Sequence, residues 1–149
     1  MTSDRSSPIA DWVRLLCREV RNQRGVKGVG VIGMCITGNF AIQLIGDESV
    51  LAAVASQPAM PFFKQGNLHM SSDDIEQSRN ALDVKGPMRV LRFEDDPLCT
   101  QEKSKCVHRA FNDDSNIRVQ EITLPGRGHS VLTLDFVDQS GHPTREALD

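Results

Sequence analysis

The chain has no excess of positive charge: 17 lysines and arginines stand against 20 aspartates and glutamates, a formal net charge of −3. Nucleic acids and anionic membrane surfaces are held chiefly by basic patches, so neither is an expected partner. No two of its four cysteines, Cys17, Cys35, Cys99 and Cys106, stand at C-x-x-C spacing. A zinc knuckle and a dithiol redox motif are therefore excluded, and no metal or cofactor is expected. Cys17 and Cys106 read as core residues on apolar helix faces, and Cys99 and Cys106 as neighbours on one helix. Met1 to Ser7 includes Asp4 and Arg5 and no apolar stretch, so it is not read as a secretory leader. With reduced thiols, a cytoplasmic setting is the expectation. There is no internal repeat and no low-complexity tract. Hydrophobic residues make up 39% of the 149, which excludes disorder and suits one domain over residues 1–149.

Charge is also missing from Gly28 to Gly46, a run long enough to suggest a membrane span. The run contains Gly28, Gly30, Gly33, Gly38 and Gly46, and each glycine in a helix costs about 1 kcal/mol against alanine. Two short elements joined by a turn fit better than one continuous helix, so no membrane partner is expected.

What is present is an alternation of helix and strand signals. Ser7-Pro8 starts a helix whose apolar stripe, Ile9, Trp12, Val13, Leu16, Cys17 and Val20, is expected to face the core, with Gly25 at its end. Gly28 to Met34, apolar on both faces, reads as an inner strand of a parallel sheet. Ile36 to Ile45 reads as a helix and Val50 to Ser56 as a strand stopped by Pro58 and Pro61. After a loop from Met60, Ser71 or Ser72 caps a helix to about Leu82. Gly86-Pro87 ends that region, Met88 to Phe93 is a strand, and Cys99 to Phe111 a helix. Ile117 to Leu124 alternates as a strand before the Pro125-Gly126-Arg127-Gly128 turn. Val131 to Leu134 suits helix or strand equally, and His142-Pro143 opens a last short helix. This alternation predicts an α/β fold, a mostly parallel sheet of about four strands with flanking helices.

Gly28-x-Gly30-x-x-Gly33 fits a dinucleotide fingerprint, but its glycines lie inside the strand and no acidic residue closes a second strand about twenty residues on. Gly33-Met-Cys-Ile-Thr-Gly38 is more informative. It joins a buried strand to a helix, the setting of a nucleophile elbow, with Cys35 at a helix N-terminus whose dipole favours negative charge. An inert core cysteine is the plainer reading of Cys35 taken alone. Asp96 follows the third strand and His129 the fourth. All three residues then lie at C-terminal strand ends, where open parallel sheets place their sites, in the order nucleophile, acid, histidine. His69 in a loop and His108 on a charged helix adjoin no such constellation.

Gly30-Val-Ile-Gly-Met-Cys-Ile-Thr-Gly38, Ala53-Val-Ala-Ser-Gln-Pro58, Leu91-Arg-Phe-Glu-Asp-Asp-Pro-Leu98 and His129-Ser-Val-Leu-Thr133 resemble the dienelactone hydrolase family over nearly the whole chain. The resemblance implies an α/β-hydrolase fold and hydrolysis of a small carboxylic ester or lactone. It implies Cys35 as nucleophile, His129 as general base and Asp96 as the acid orienting it, with Asp95 as rival. The N–H of Ile36 becomes the oxyanion donor, and Gly33, Thr37 and Gly38 shape the elbow.

Thr37 and Asn39 replace residues that are small in the family, which predicts slight strain in the elbow. The family's domain also has further N-terminal strands and a full last helix, so the chain reads as a partial domain, with a weakly active or inactive fragment as the alternative function. A thiol redox or small-molecule binding module ranks behind both. A strand left at the sheet edge predicts self-association there.

Overall fold

The computed structural model describes residues 7–148. The segment read as lacking a secretory leader lies, up to Ser6, outside them. In chain order come α1 (Pro8–Arg24), β1 (Val29–Met34), α2 (Ile36–Leu44), β2 (Val50–Ser56), α3 (Ser72–Lys85), β3 (Met88–Phe93), α4 (Gln101–Phe111), β4 (Val119–Leu124) and the short α5 (Pro143–Glu146). The strands form a four-stranded sheet in the order β1-β2-β3-β4, every neighbouring pair parallel. The uncharged run from Gly28 to Gly46 is divided between β1 and α2. Among the described residues no helix is long and apolar enough to cross a membrane.

Local chemistry sets the ends of these elements. Pro8 occupies the first turn of α1, where an N–H would have no intrahelical acceptor, and Gly25 closes the helix in the left-handed region at φ 61°. Ser71 caps α3 by accepting the Asp74 N–H at 3.0 Å. The helix runs a turn beyond Leu82 because Lys85 Nζ donates to the carbonyls of Ile45 and Asp47, 2.7 Å each, a tertiary tie that periodicity does not report. Cys99 precedes α4 rather than sharing its face with Cys106, because the Asp96 carboxylate takes the Cys99 N–H. Val131 to Leu134 forms successive turns, with Val131 fully buried.

One face of the sheet carries the larger core. Val50, Ala53 and Ala55 of β2, Val90 of β3 and Val119 of β4 pack against Ile42 and Ile45, Leu82, and Val107 and Phe111. The other face has a smaller cluster of Leu91, Phe93, Leu124 and Val131, joined by Val54, Ile122 and Ala147. This second layer reaches only the β2–β4 side.

Two expectations need correction. First, composition alone makes β1 an inner strand, whereas it is an edge strand, as the expected self-association required, paired only with β2 among the described residues. Val29 and Val31 pack toward the helices, whereas Ile32 is 67% exposed on the opposite face. Apolar composition on both faces shows what a strand could bury, not what is there to cover it. Second, the stripe assigned to the core on α1 is turned outward in part: Trp12 is 63% exposed, and Ile9, Leu16 and Val20 are exposed as well. Of that stripe only Cys17 and Val13 meet the core, beside Ala10 and the half-buried Arg14. Arg14 reaches Asp74 at 2.8 Å and Arg18 reaches Asp47 at 2.7 Å, which fixes the rotation of the helix.

Candidate active site

Cys35 lies between the last residue of β1 and the first of α2, at φ 53° and ψ −117°. A side-chain-bearing residue held there stores about 1–3 kcal/mol of strain, which the surroundings must overcome. Cys35 N–H donates to the Ser56 carbonyl at 3.1 Å, and the Cys35 carbonyl accepts from Gly38 N (3.1 Å) and Ala59 N (3.2 Å). Two glycines leave the room this bend needs. A Cβ on Gly33 would fall 2.2 Å from the Thr37 carbonyl oxygen, and one on Gly38 would fall 3.0 Å from Pro58 Cα.

Thr37 and Asn39, where slight strain was anticipated, both serve as ties, although the buried Asn39 Oδ1 has no hydrogen-bond partner. Thr37 Oγ1 accepts from Met34 N–H and donates to the Met34 carbonyl, 2.8 Å each, fastening the helix start to the strand end. Asn39, buried, donates to the Met60 carbonyl, which also accepts from Lys103 Nζ at 2.6 Å. Lys103 is fully buried, and burial pushes its ammonium below the ordinary lysine range. Gln65 Nε2 donates to the carbonyls of Ala59 and Pro61, 3.0 Å each, so the loop after β2 is strapped beside the elbow.

Asp96 and His129 come together. His129 Nδ1 lies 2.9 Å from both carboxylate oxygens of Asp96, whose side chain is completely buried. Asp96 Oδ1 also accepts from the N–H groups of Leu98 and Cys99, 2.8 Å each, so the carboxylate is anchored before it meets the ring. Asp95 is exposed, and its N–H donates to the Gly126 carbonyl. The residue paired with His129 is thus Asp96.

The histidine loop has its own anchor, one that the sequence did not signal. Asp135 Oδ2 accepts the N–H of His129 at 2.9 Å and of Ser130 at 2.8 Å. The Ser130 and His129 N–H groups hold this exposed carboxyl below the usual carboxylate range. Gly128 is required for the same approach: a Cβ there would lie 2.8 Å from the Phe93 ring.

His129 Nε2 is buried and makes no hydrogen bond, including to Cys35. Cys35 is a partly exposed free thiol at the same C-terminal edge of the sheet, after β1, as Asp96 after β3 and His129 after β4. Ile36 opens α2, so its N–H is one of the first-turn donors that lack an intrahelical acceptor. Such an arrangement can orient an imidazole, remove a proton at Nε2 and stabilise negative charge beside a sulfur.

The other histidines stand apart. His69 and His108 are exposed, and His142 caps α5 by accepting the Thr144 N–H. Among the described residues no cluster of three His, Cys, Asp or Glu side chains could hold a metal ion.

Two solved structures share this fold. One is MGS-MChE2, an α/β hydrolase enzyme from the metagenome of sediments of the Mar Chica lagoon, Morocco, at TM-score 0.56 and 14% identity, over 85% of this chain. The other is the Pyrococcus furiosus esterase PF2001, at TM-score 0.52 and 16% identity, over 78% of this chain. The match spans 64% of the first and 52% of the second, less than two thirds of either. No curated protein matches the chain. The family model described as dienelactone hydrolase matches residues 3–139, and the chain therefore belongs to the dienelactone hydrolase family.

Proposed function

We propose that the protein hydrolyses a small carboxylic ester or lactone through Cys35, His129 and Asp96. The observation that carries this reading is the His129–Asp96 pair, which leaves Nε2 unpartnered and buried at the sheet edge where Cys35 projects from a strained turn. Family membership supports the same chemistry.

In this mechanism Cys35 Sγ attacks the substrate carbonyl while its proton passes to His129 Nε2. The sulfur–carbon bond forms, and the carbonyl electron pair moves onto oxygen, where the Ile36 N–H donates to it. Collapse of this intermediate breaks the bond to the alcohol oxygen, which leaves with the proton from His129. Water then attacks the thioester as His129 takes one of its protons, and the carboxylic acid departs as that proton returns to Cys35 sulfur. Asp96 holds the ring so that Nε2 faces the reaction throughout.

A second reading, a chain that keeps these residues but turns over weakly or not at all, is favoured by one observation: His129 Nε2 and Cys35 make no hydrogen bond. Catalytic hydrogen bonds often tighten only with substrate bound. Assay of the parent and Cys35→Ala proteins on activated esters decides between them. Parent turnover abolished by the substitution supports the enzyme, and equal rates for both proteins support the inactive chain.

Self-association belongs to the same reading of the fold. The outer edge of β1 carries backbone groups without a strand partner among the described residues, and Ile32 on it is exposed. A hollow of about 460 Å³ between α1 and this edge is lined by Ile9, Val13, Ile32 and Phe40. A second copy of β1 pairing there would cover these groups. Four free cysteines support a reducing, cytoplasmic setting.

A further inference from the structure

Arg92, in the penultimate position of β3, is 5% exposed, although an arginine at a strand end ordinarily reaches water. Its guanidinium spans the loop that carries Asp96. Nε donates to the Cys99 carbonyl at 2.9 Å and an Nη donates to the Glu94 carbonyl at 2.7 Å. These carbonyls lie on either side of Asp96 in the chain, so one planar cation fixes both ends of a six-residue loop. The N–H groups of the same loop are engaged elsewhere. Glu94 N donates to Leu124 and Asp95 N to Gly126 of the β4 side, and Leu98 N and Cys99 N donate to Asp96 itself. Arg92 therefore supplies carbonyl bonds that the loop cannot make internally.

Arg92 also borders a buried thiol. The neighbouring Cys99 thiol is pushed up to about 12, first by burial and then by Asp96, so it stays protonated and does not neutralise the guanidinium. Both Arg92 and Asp96 act electrostatically on that one sulfur. Both donors of the guanidinium end on carbonyl oxygens, so its hold on the loop lies in the fork geometry of the group.

We propose that Arg92 is a positioning residue for the site, fixing the Glu94–Cys99 loop so that Asp96 meets His129 Nδ1. This rests on the proposed roles of Asp96 and His129. Lysine keeps the charge of Arg92 but offers one compact ammonium in place of nitrogens held apart in a rigid fork. Arg92→Lys should leave a folded protein in which the His129 Nδ1 proton, followed by NMR of the ring-labelled chain, exchanges with water at least about tenfold faster than in the parent. On an ester substrate kcat should fall about tenfold with KM little changed, as expected when an interaction is lost in the transition state.

Arg92→Gln, with a single planar donor, is the second variant and should show the same exchange effect. Unchanged Nδ1 proton exchange in either folded variant overturns the proposal. Failure of both variants to fold also overturns it, since Arg92 would then serve folding rather than the site. The NMR readout needs no turnover. Faster exchange in a parent chain without esterase activity would leave the positioning role standing and sink the enzyme reading alone.

Discussion

Asp96 meets His129 with both carboxylate oxygens 2.9 Å from one ring nitrogen, while its immediate neighbour Asp95 points to solvent. Two adjacent acids of identical chemistry are thus separated by one step of backbone. Asp96→Asn keeps an acceptor for Leu98 and Cys99 N–H but removes the charge and offers the ring the wrong tautomeric partner. The expected loss in kcat is about 10³–10⁴, against no more than about twofold for Asp95→Asn. Steady-state kinetics of the two variants checks this, and equal effects would count against the assignment.

The elbow makes a stability prediction. Gly33→Ala would place its Cβ against the Thr37 carbonyl, a backbone atom that cannot swing aside. The turn must open, at a cost of about 1–3 kcal/mol or more for forced overpacking. Gly30→Ala, where a Cβ meets nothing within 4 Å, is the control. Urea unfolding of both should show a lower midpoint for Gly33→Ala only.

Acid should destabilise the α1–α2–α3 side of the molecule. Burial would raise Asp74, but hydrogen bonds from Ser71, Arg14 and Gln43 outweigh it and hold the carboxyl below its ordinary value. Asp47 behaves alike, with Arg18 and Ser49 offsetting burial. Both folded values lie below the unfolded one, so the folded state holds fewer protons near pH 4. Their contribution is complete above about pH 4 and is lost as pH falls through the folded values. Thermal melts from pH 7 downward should decline more gently in Asp74→Asn than in the parent, starting from a lower neutral-pH midpoint.

The edge of β1 predicts an oligomer. Ile32→Lys puts a charge on the exposed face, a device that natural edge strands use against pairing. Light scattering should report a dimer or larger species for the parent and a shift toward monomer for the variant. A monomeric parent at high concentration would contradict self-association.

The extent to which the sequence foretold the fold differs from element to element. Periodicity and caps located β2 and β3 to the residue, because Pro58 and Gly86-Pro87 punctuate them sharply. The acid–histidine pair was legible too, since a parallel sheet delivers every C-terminal strand end to one edge. The rotation of α1 was not. Trp12 and Arg14 exchange their expected environments because Asp74, far along the chain, draws Arg14 inward, while Asp47 ties the exposed Arg18. Arg92, Asp135 and Lys103 escaped notice for a related reason. A charged residue near an element end is ordinarily solvated, and only tertiary partners turn it into a buried or load-carrying group. Strand β1 shows the remaining limit, for hydrophobicity records a capacity for burial and not the neighbours that fulfil it.

The central claim is that Cys35 sulfur becomes acylated with His129 as its base. The direct measurement is intact-protein mass spectrometry after rapid acid quench from a p-nitrophenyl ester, followed by peptide mapping. The account predicts one acyl group per chain on Cys35, forming at least about a thousandfold more slowly in His129→Ala. An acyl group mapped to another residue, or ester hydrolysis by Cys35→Ala at the parental rate, would contradict it.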